Sequence, residues 1–181
     1  MCWTVVCLLL LALPLSAAEV DQVNVHREGD QYQLQVIAHV DAQPTVVWAL
    51  LTDFDNLQQL HPMVRASTYL RRTPEGADRV RIRTRPCVLL FCVDFTQIVE
   101  FRAFGEERLQ GDFDPRDSHF HFGQLRWQLE GISSGGTDLR FDAELTPAFW
   151  LPPLLGSWVL KRALRTTATD IVMNLDRLSR S

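Results

Sequence analysis

The sequence predicts an α+β domain in which a curved antiparallel sheet of about seven strands wraps around one long C-terminal helix. Residues 63–147 form a meander, a run of short segments in which apolar and polar side chains alternate, separated by turn residues. Residues 153–178 carry apolar side chains spaced by threes and fours, as one amphipathic helix requires. Two short helical stretches stand between an N-terminal strand and the meander.

In the first strand Tyr32, Leu34, Val36, Ala38 and Val40 share one face, with Gln33, Gln35 and His39 on the other. Val23 and Val25, ahead of the Glu28-Gly29-Asp30 turn, mark a short hairpin partner. Pro44 opens a helix through Trp48, Leu50 and Leu51, and Asp53 begins a second short helix that ends before His61-Pro62. The meander divides into strands at roughly 63–72, 79–87, 92–103, 106–112, 118–130 and 137–146. Its breaks are turn chemistry: Pro74-Glu75-Gly76, Gly105, Asp114-Pro115 and Ser133-Ser134-Gly135-Gly136. In the last strand Leu139, Phe141, Ala143 and Leu145 alternate with Asp138, Arg140, Asp142 and Glu144, so the sheet has one buried face. Phe120 and Phe122 are out of phase with Leu125, Trp127 and Leu129, which predicts a bulge near Gly123. The helical stripe of Leu154, Trp158, Lys161, Leu164, Ala168, Ile171, Leu175 and Leu178 needs a cover, and the buried face of the sheet is the one large apolar surface on offer.

The chain has 181 residues, 46% of them apolar and 22% charged, which suits a single domain with a full core. A net charge of -4 supplies no basic footprint for nucleic acid, and that class of partner is set aside. Met1 to Ala18 has no charged side chain, an apolar run from Val5 to Leu13, and small residues at Ser16 and Ala18. It reads as a secretory signal cleaved after Ala18, although no Lys or Arg precedes the run. The alternative is an uncleaved N-terminal membrane anchor, for which the stretch falls short of the ~20 residues that span a bilayer. Residues 19–181 are then one exported domain, periplasmic or secreted, with Cys87 and Cys92 in a compartment where a disulfide persists.

The order of strand, two short helices, six meandering strands and one long helix is that of the helix-grip fold. Asp41-Ala42 through Pro44, Val47-Trp48, and Leu51 through Leu57 with Leu60 and Pro62 resemble the first-helix signature of the START-like superfamily (SRPBCC; polyketide cyclase/dehydrase and lipid transport). Trp127 leading to Gly136-Thr137-Asp138-Leu139, and the segment from Pro147 to Pro153, resemble it as well. Within that superfamily the chain is similar to the coenzyme Q-binding and polyketide-cyclase-like group. The resemblance implies a hydrophobic small-molecule ligand, such as a lipid, quinone or polyketide-like compound, held between sheet and helix. It implies no cofactor and carries no catalytic residue. A carrier is the first expectation and an enzyme of cyclase, dehydrase or hydrolase type the alternative.

The pocket expected from the alternation is lined by Trp48, Phe95, Phe101, Trp127, Phe141, Trp158, Lys161 and Leu164. Lys161, the single lysine, either snorkels to the edge of the stripe or, with Arg162 beside it, donates a hydrogen bond to a polar ligand head. His119 and His121 near Asp117 read as solvated residues rather than a metal site, since further ligands are not identifiable. Arg79, Arg81, Arg83 and Arg85 share one face of a strand, read as an outer face rather than a headgroup site. One register sets Arg79 opposite Glu100 and Arg85 opposite Asp94, with Val80 by Val99 and Thr84 by Phe95 on the core side. The same register sets Cys87 opposite Cys92 and predicts a disulfide across the turn Val88-Leu89-Leu90-Phe91. Leu89, Leu90 and Phe91 share one end of the sheet with Phe149 and Trp150, and that end is the expected entrance. These apolar loops either plug the pocket or touch a membrane transiently during ligand exchange.

Overall fold

Alternation in residues 31–40 buries every second side chain: Tyr32, Leu34, Val36, Ala38 and Val40 are all less than a tenth exposed. The computed structural model describes residues 19–85, 87–88, 91–133, 135–148 and 156–180, with Val88, Phe91 and residues 156–160 described by their backbone alone. The first 18 residues, the segment read as a signal, lie outside the described residues. The strands are β1 (Glu19–Glu28), β2 (Gln31–Val40), β3 (Val64–Arg72), β4 (Asp78–Thr84), β5 (Cys87–Val88), β6 (Phe91–Cys92), β7 (Phe95–Phe104), β8 (Arg108–Phe113), β9 (Phe120–Gly131) and β10 (Thr137–Pro147). Helix α1 (Pro44–Thr52) and a 3-10 turn at Leu57–Gln59 follow β2, and α2 (Gly156–Ser179) closes the chain.

Eight strands make one antiparallel sheet in the order β1-β2-β10-β9-β8-β7-β4-β3, and β5 and β6 make a separate ribbon. The sheet exceeds the expected seven because the hairpin partner of β2 is a full ten-residue strand at the sheet edge. Gly29 takes the left-handed conformation, φ 58°, that the β1–β2 turn demands. The second short helix shrinks to its 3-10 turn, held where the Ser67 hydroxyl accepts from the Leu57 N–H at 2.9 Å. In β4 and β7 the register is the expected one, with Val80 opposite Val99, Thr84 opposite Phe95 and Arg79 opposite Glu100. Sheet pairing stops at Thr84 and resumes in the ribbon with Cys87 opposite Cys92.

The β9–β10 register runs unbroken through Gly123 and shifts between Thr146 and Pro147 instead. Phe120 is thereby brought in against Phe95 and Phe113, while Phe122 stays outside, 44% exposed. The bulge therefore acts two residues further along than expected and returns one aromatic, not two, to the core.

Helix α2 lies on β1 and β2 and against α1. Among its described residues Ala168, Val172 and Leu175 are the buried apolar side chains, with Asp176 buried beside them, and Leu164, Ile171 and Leu178 flank them. Its C-terminal half is clamped at the Val40 end of β2: Asp176 accepts the Asp41 N–H at 3.2 Å, and Asn174 donates to the Leu60 carbonyl at 3.1 Å. The Arg165 guanidinium reaches the Val23 carbonyl at 3.4 Å, so the N-terminal half of the helix runs up toward the Tyr32 end.

Candidate functional site

The inner face of the sheet is unevenly covered. At the Val40 end, Val47, Leu51, Leu57 and Leu60 meet Leu109, Leu129, Leu139, Val172 and Leu175, every one of them buried. Phe54 stacks on Phe101 there with ring centroids 4.9 Å apart, which places Phe101 in the packed core. Phe113, Leu125 and Trp127, on β8 and β9, project from the inner face yet stay only partly buried. Trp127 stacks on Phe141 at 4.0 Å, and Phe141 is buried beneath it.

Two glycines let aromatic rings lie flat on this wall. A Cβ on Gly123 would stand 2.4 Å from the Phe113 ring, and one on Gly111 would stand 2.8 Å from Phe101. Only a residue without a side chain admits such an approach.

Of the other expected pocket residues, Trp48 is half-buried on α1 and packs against the core, as does Leu164 on α2. Phe95 is buried at the upper end beside His119. Lys161 is half-buried and has no ion-pair partner among the described residues. Trp158 lies in the first turns of α2, and its side chain is outside the described residues. At the expected entrance, Leu89, Leu90, Phe149 and Trp150 are outside the described residues, as is the Phe91 side chain.

Around that entrance the neighbouring segments are well tied. Cys87 and Cys92 form a disulfide with Cα atoms 4.0 Å apart, and Arg85 pairs with Asp94 at 3.9 Å. Arg79, expected on a solvated face, is instead largely buried, because the loop after β8 folds over the outer side of β7. Its guanidinium meets Asp114 at 2.7 Å, Glu100 at 3.1 Å and Asp117 at 3.4 Å. The Arg116 backbone N–H, donated at 3.1 Å, does most to hold the Asp114 carboxyl below its ordinary value of 3.8; Arg79 adds to this and desolvation opposes it.

His61 accepts the Met63 N–H at Nδ1, 2.9 Å, which leaves Nε2 to carry the proton toward Asp170 at 3.4 Å. Both ring nitrogens are thus committed to holding α2 against the loop. His119 faces the Thr96 carbonyl at 3.2 Å. Among the described residues no three His, Cys, Asp or Glu side chains gather closely enough to hold a metal. A groove of about 360 Å³ on the outer face of β2, β9 and β10 is polar, and its Arg140 and Arg126 are paired with Asp142 and Glu144.

Two polar residues that the sequence reading passed over stand on the inner face. Gln97 is 8% and Tyr32 1% exposed, and neither Gln97 Oε1 nor Tyr32 Oη has a hydrogen-bond partner among the described residues. A signal for Gln97 was present, since it interrupts the apolar row Phe95, Val99, Phe101. Tyr32 continued an apolar row and gave none.

A family model described as polyketide cyclase / dehydrase and lipid transport matches residues 40–172. No curated protein matches the sequence. Among solved structures, a START superfamily protein from Mycobacterium smegmatis superposes with a TM-score of 0.67 at 15% identity, over 82% of this chain and 97% of that one. The Zhui aromatase/cyclase from a Streptomyces species gives 0.66 at 12% identity, over 83% and 94%. A STAR-related lipid transfer protein from Xanthomonas axonopodis gives 0.61 at 14% identity, over 86% and 99%. At such identities the likeness is one of fold.

Proposed function

The chain belongs to the polyketide cyclase / dehydrase and lipid transport family, and from that premise we propose that it is an exported carrier which holds one hydrophobic molecule between the sheet and α2. The observation that carries the reading is the uneven inner face. Most side chains of this face are buried, whereas Phe113, Leu125 and Trp127, neighbours on β8 and β9, keep apolar surface that the described residues leave partly uncovered. Leaving apolar surface uncovered forfeits ~25 cal/mol per Å², and a bound apolar molecule recovers it. Pockets that bind such molecules are apolar with a few polar groups that fix orientation, and this wall has that composition.

Export is supported by the uncharged apolar stretch before Glu19, by the small side chains at Ser16 and Ala18, and by the Cys87–Cys92 disulfide. Ligand exchange is assigned to the end that carries the ribbon and the start of α2, where the apolar loops would touch a membrane surface. Native mass spectrometry of the protein purified from its own host tests the carrier reading. An acyl, isoprenoid or polycyclic compound bound one to one is the expected result; a mass equal to the bare chain at every collision energy counts against it. Catalysis on the same molecule is the second reading, favoured by the family, and would appear as a chemical change in an added compound over time.

A further inference from the structure

We infer that Arg81 and Arg83 on β4, with Arg65 and Arg85 beside them, dock the protein on an anionic bilayer surface, so that contact at the ribbon end is selective for negatively charged lipid. The inference rests on the entrance assigned above and adds what that reading leaves open, the chemistry of the partner surface.

Val80, Ile82 and Thr84 are buried on the inner face of β4, which sends Arg79, Arg81 and Arg83 outward, with Arg85 next in the row. The acids nearby serve the two ends of this row. Arg79 is enclosed by Asp114, Glu100 and Asp117, and Arg85 is met by Asp94 at 3.9 Å. The two middle arginines are exposed and have no ion-pair partner among the described residues. Their cross-strand neighbours explain why. Arg81 lies opposite Thr68 on β3 and Ile98 on β7, and Arg83 opposite Ala66 and Thr96, none of them acidic. Arg65, at the register shift ahead of Ala66, is exposed and likewise has no ion-pair partner among the described residues. The base of the ribbon, where the Arg85 N–H donates to the Met63 carbonyl at 2.8 Å, thus gathers guanidinium groups that the carboxylate of Asp94 does not balance.

The chain as a whole is acidic, with a net charge of -4, so this excess of positive charge is local. On β9 and β10 the same outer face carries Arg126 and Arg140, but Glu144 and Asp142 neutralise them. Arg81 and Arg83 leave one strand face from Cα atoms roughly 7 Å apart. Like charges so placed repel, and an anion from outside relieves the repulsion. Guanidinium forks match the oxygens of phosphate. Ala66, Thr68 and Thr96 are too small to wall in a free anion, whereas an open row of arginines fits an extended array of charged headgroups.

The test is flotation with vesicles of phosphatidylcholine and of an equimolar phosphatidylcholine–phosphatidylglycerol mixture. Preference for the mixed vesicles is expected, fading between 0.1 M and 1 M salt as the screening length falls from ~10 Å to ~3 Å. Each arginine near an anionic leaflet is worth about fivefold in partition, so Arg81→Gln with Arg83→Gln should weaken association roughly thirtyfold. Arg126→Gln with Arg140→Gln makes the same change in net charge and should stay within about twofold. All four substitutions fall on exposed residues, and an unchanged thermal midpoint confirms that each variant is folded. Equal association with both kinds of vesicle, or an equal loss in the two double variants, overturns the inference. So does displacement by inorganic phosphate at constant ionic strength, which marks a discrete anion site, or capture of heparin through Arg81 and Arg83 while vesicles are ignored. Binding of Nile red, an uncharged apolar dye, is read alongside and should be the same in every variant. Failure of the dye to bind the unsubstituted protein overturns the carrier reading instead.

Discussion

Phe141 shows what a single side chain contributes on this wall. It is 8% exposed, lies between Leu139 and Ala143 on β10, and supports Trp127 by stacking. Phe141→Ala is expected to cost ~3–5 kcal/mol, as truncation of a buried aromatic does. Arg83, on the opposite face of β4 and exposed, should tolerate Ala within about 0.5 kcal/mol. Urea denaturation of the two variants compares them directly, and similar midpoints would mean the sheet faces are assigned the wrong way round. Asp114 makes a prediction with a pH sign. Its folded pKa lies below the ordinary 3.8, so the stability it contributes is complete above that value and is lost as pH falls through the lower, folded one. Asp114→Asn should therefore flatten the acid limb of the stability profile below about pH 3.8 and leave the slope near neutrality unchanged. An acid limb as steep in the variant as in the parent would show that other carboxylates carry it. The sequence exposed the alternation that buries Phe141. It concealed the enclosure of Arg79, because that depends on where the loop after β8 folds, and no local pattern encodes such a placement.

At the scale of elements, legibility followed the number of independent constraints on each segment. The β4–β7 register was readable because arginines faced carboxylates on one side, apolar residues faced each other on the second, and two cysteines fell opposite at the end. A one-residue slip would have broken all three. β1 was read only as a short partner, since an edge strand needs one good face and this one is interrupted by a register shift between Val20 and Gln22. The bulge was placed at Gly123 because glycine is the usual marker, whereas the glycine there serves the close approach of the Phe113 ring and the shift falls near Pro147. The ribbon makes its own prediction. It is joined to the sheet by short segments only, so the disulfide holds its two strands together at a loop-closure gain of ~2 kcal/mol in the chain-entropy model. Thiol titration of the denatured, unreduced protein checks this. No reaction at Cys87 and Cys92 is expected, and two free thiols there would refute the bond.

For the whole molecule, the consequence of the fold is that the segments able to frame an entrance are gathered at one end. The Val40 end is sealed by α1, the 3-10 turn and the clamped half of α2, with Asp176 and Arg180 bound to Asp41 and to each other. No opening can form through the sheet itself, where every interior strand is paired on both sides. The remaining end brings together the ribbon, the loop after β8 that Arg79 anchors, and the chain leaving β10, whose Ala148 N–H is bonded to the His119 carbonyl at 3.0 Å. Leu89, Leu90 and Phe91 belong to the first of these segments and Trp150 follows the last. Their composition is wrong for ordinary turns, where Gly, Asn and Asp prevail, and right for the interfacial zone of a bilayer, which tryptophan favours. Plugging the cavity and docking on a membrane predict different responses to one variant. With Leu89, Leu90, Phe91 and Trp150 all replaced by Ser, a docking mouth loses association with liposomes and slows transfer of a bound fluorescent lipid between vesicles, while equilibrium binding of the dye persists. A plug alone yields the reverse: vesicle association is unaltered, and release from the cavity accelerates because its cover is gone. Unchanged transfer at unchanged stability would reject the docking mouth.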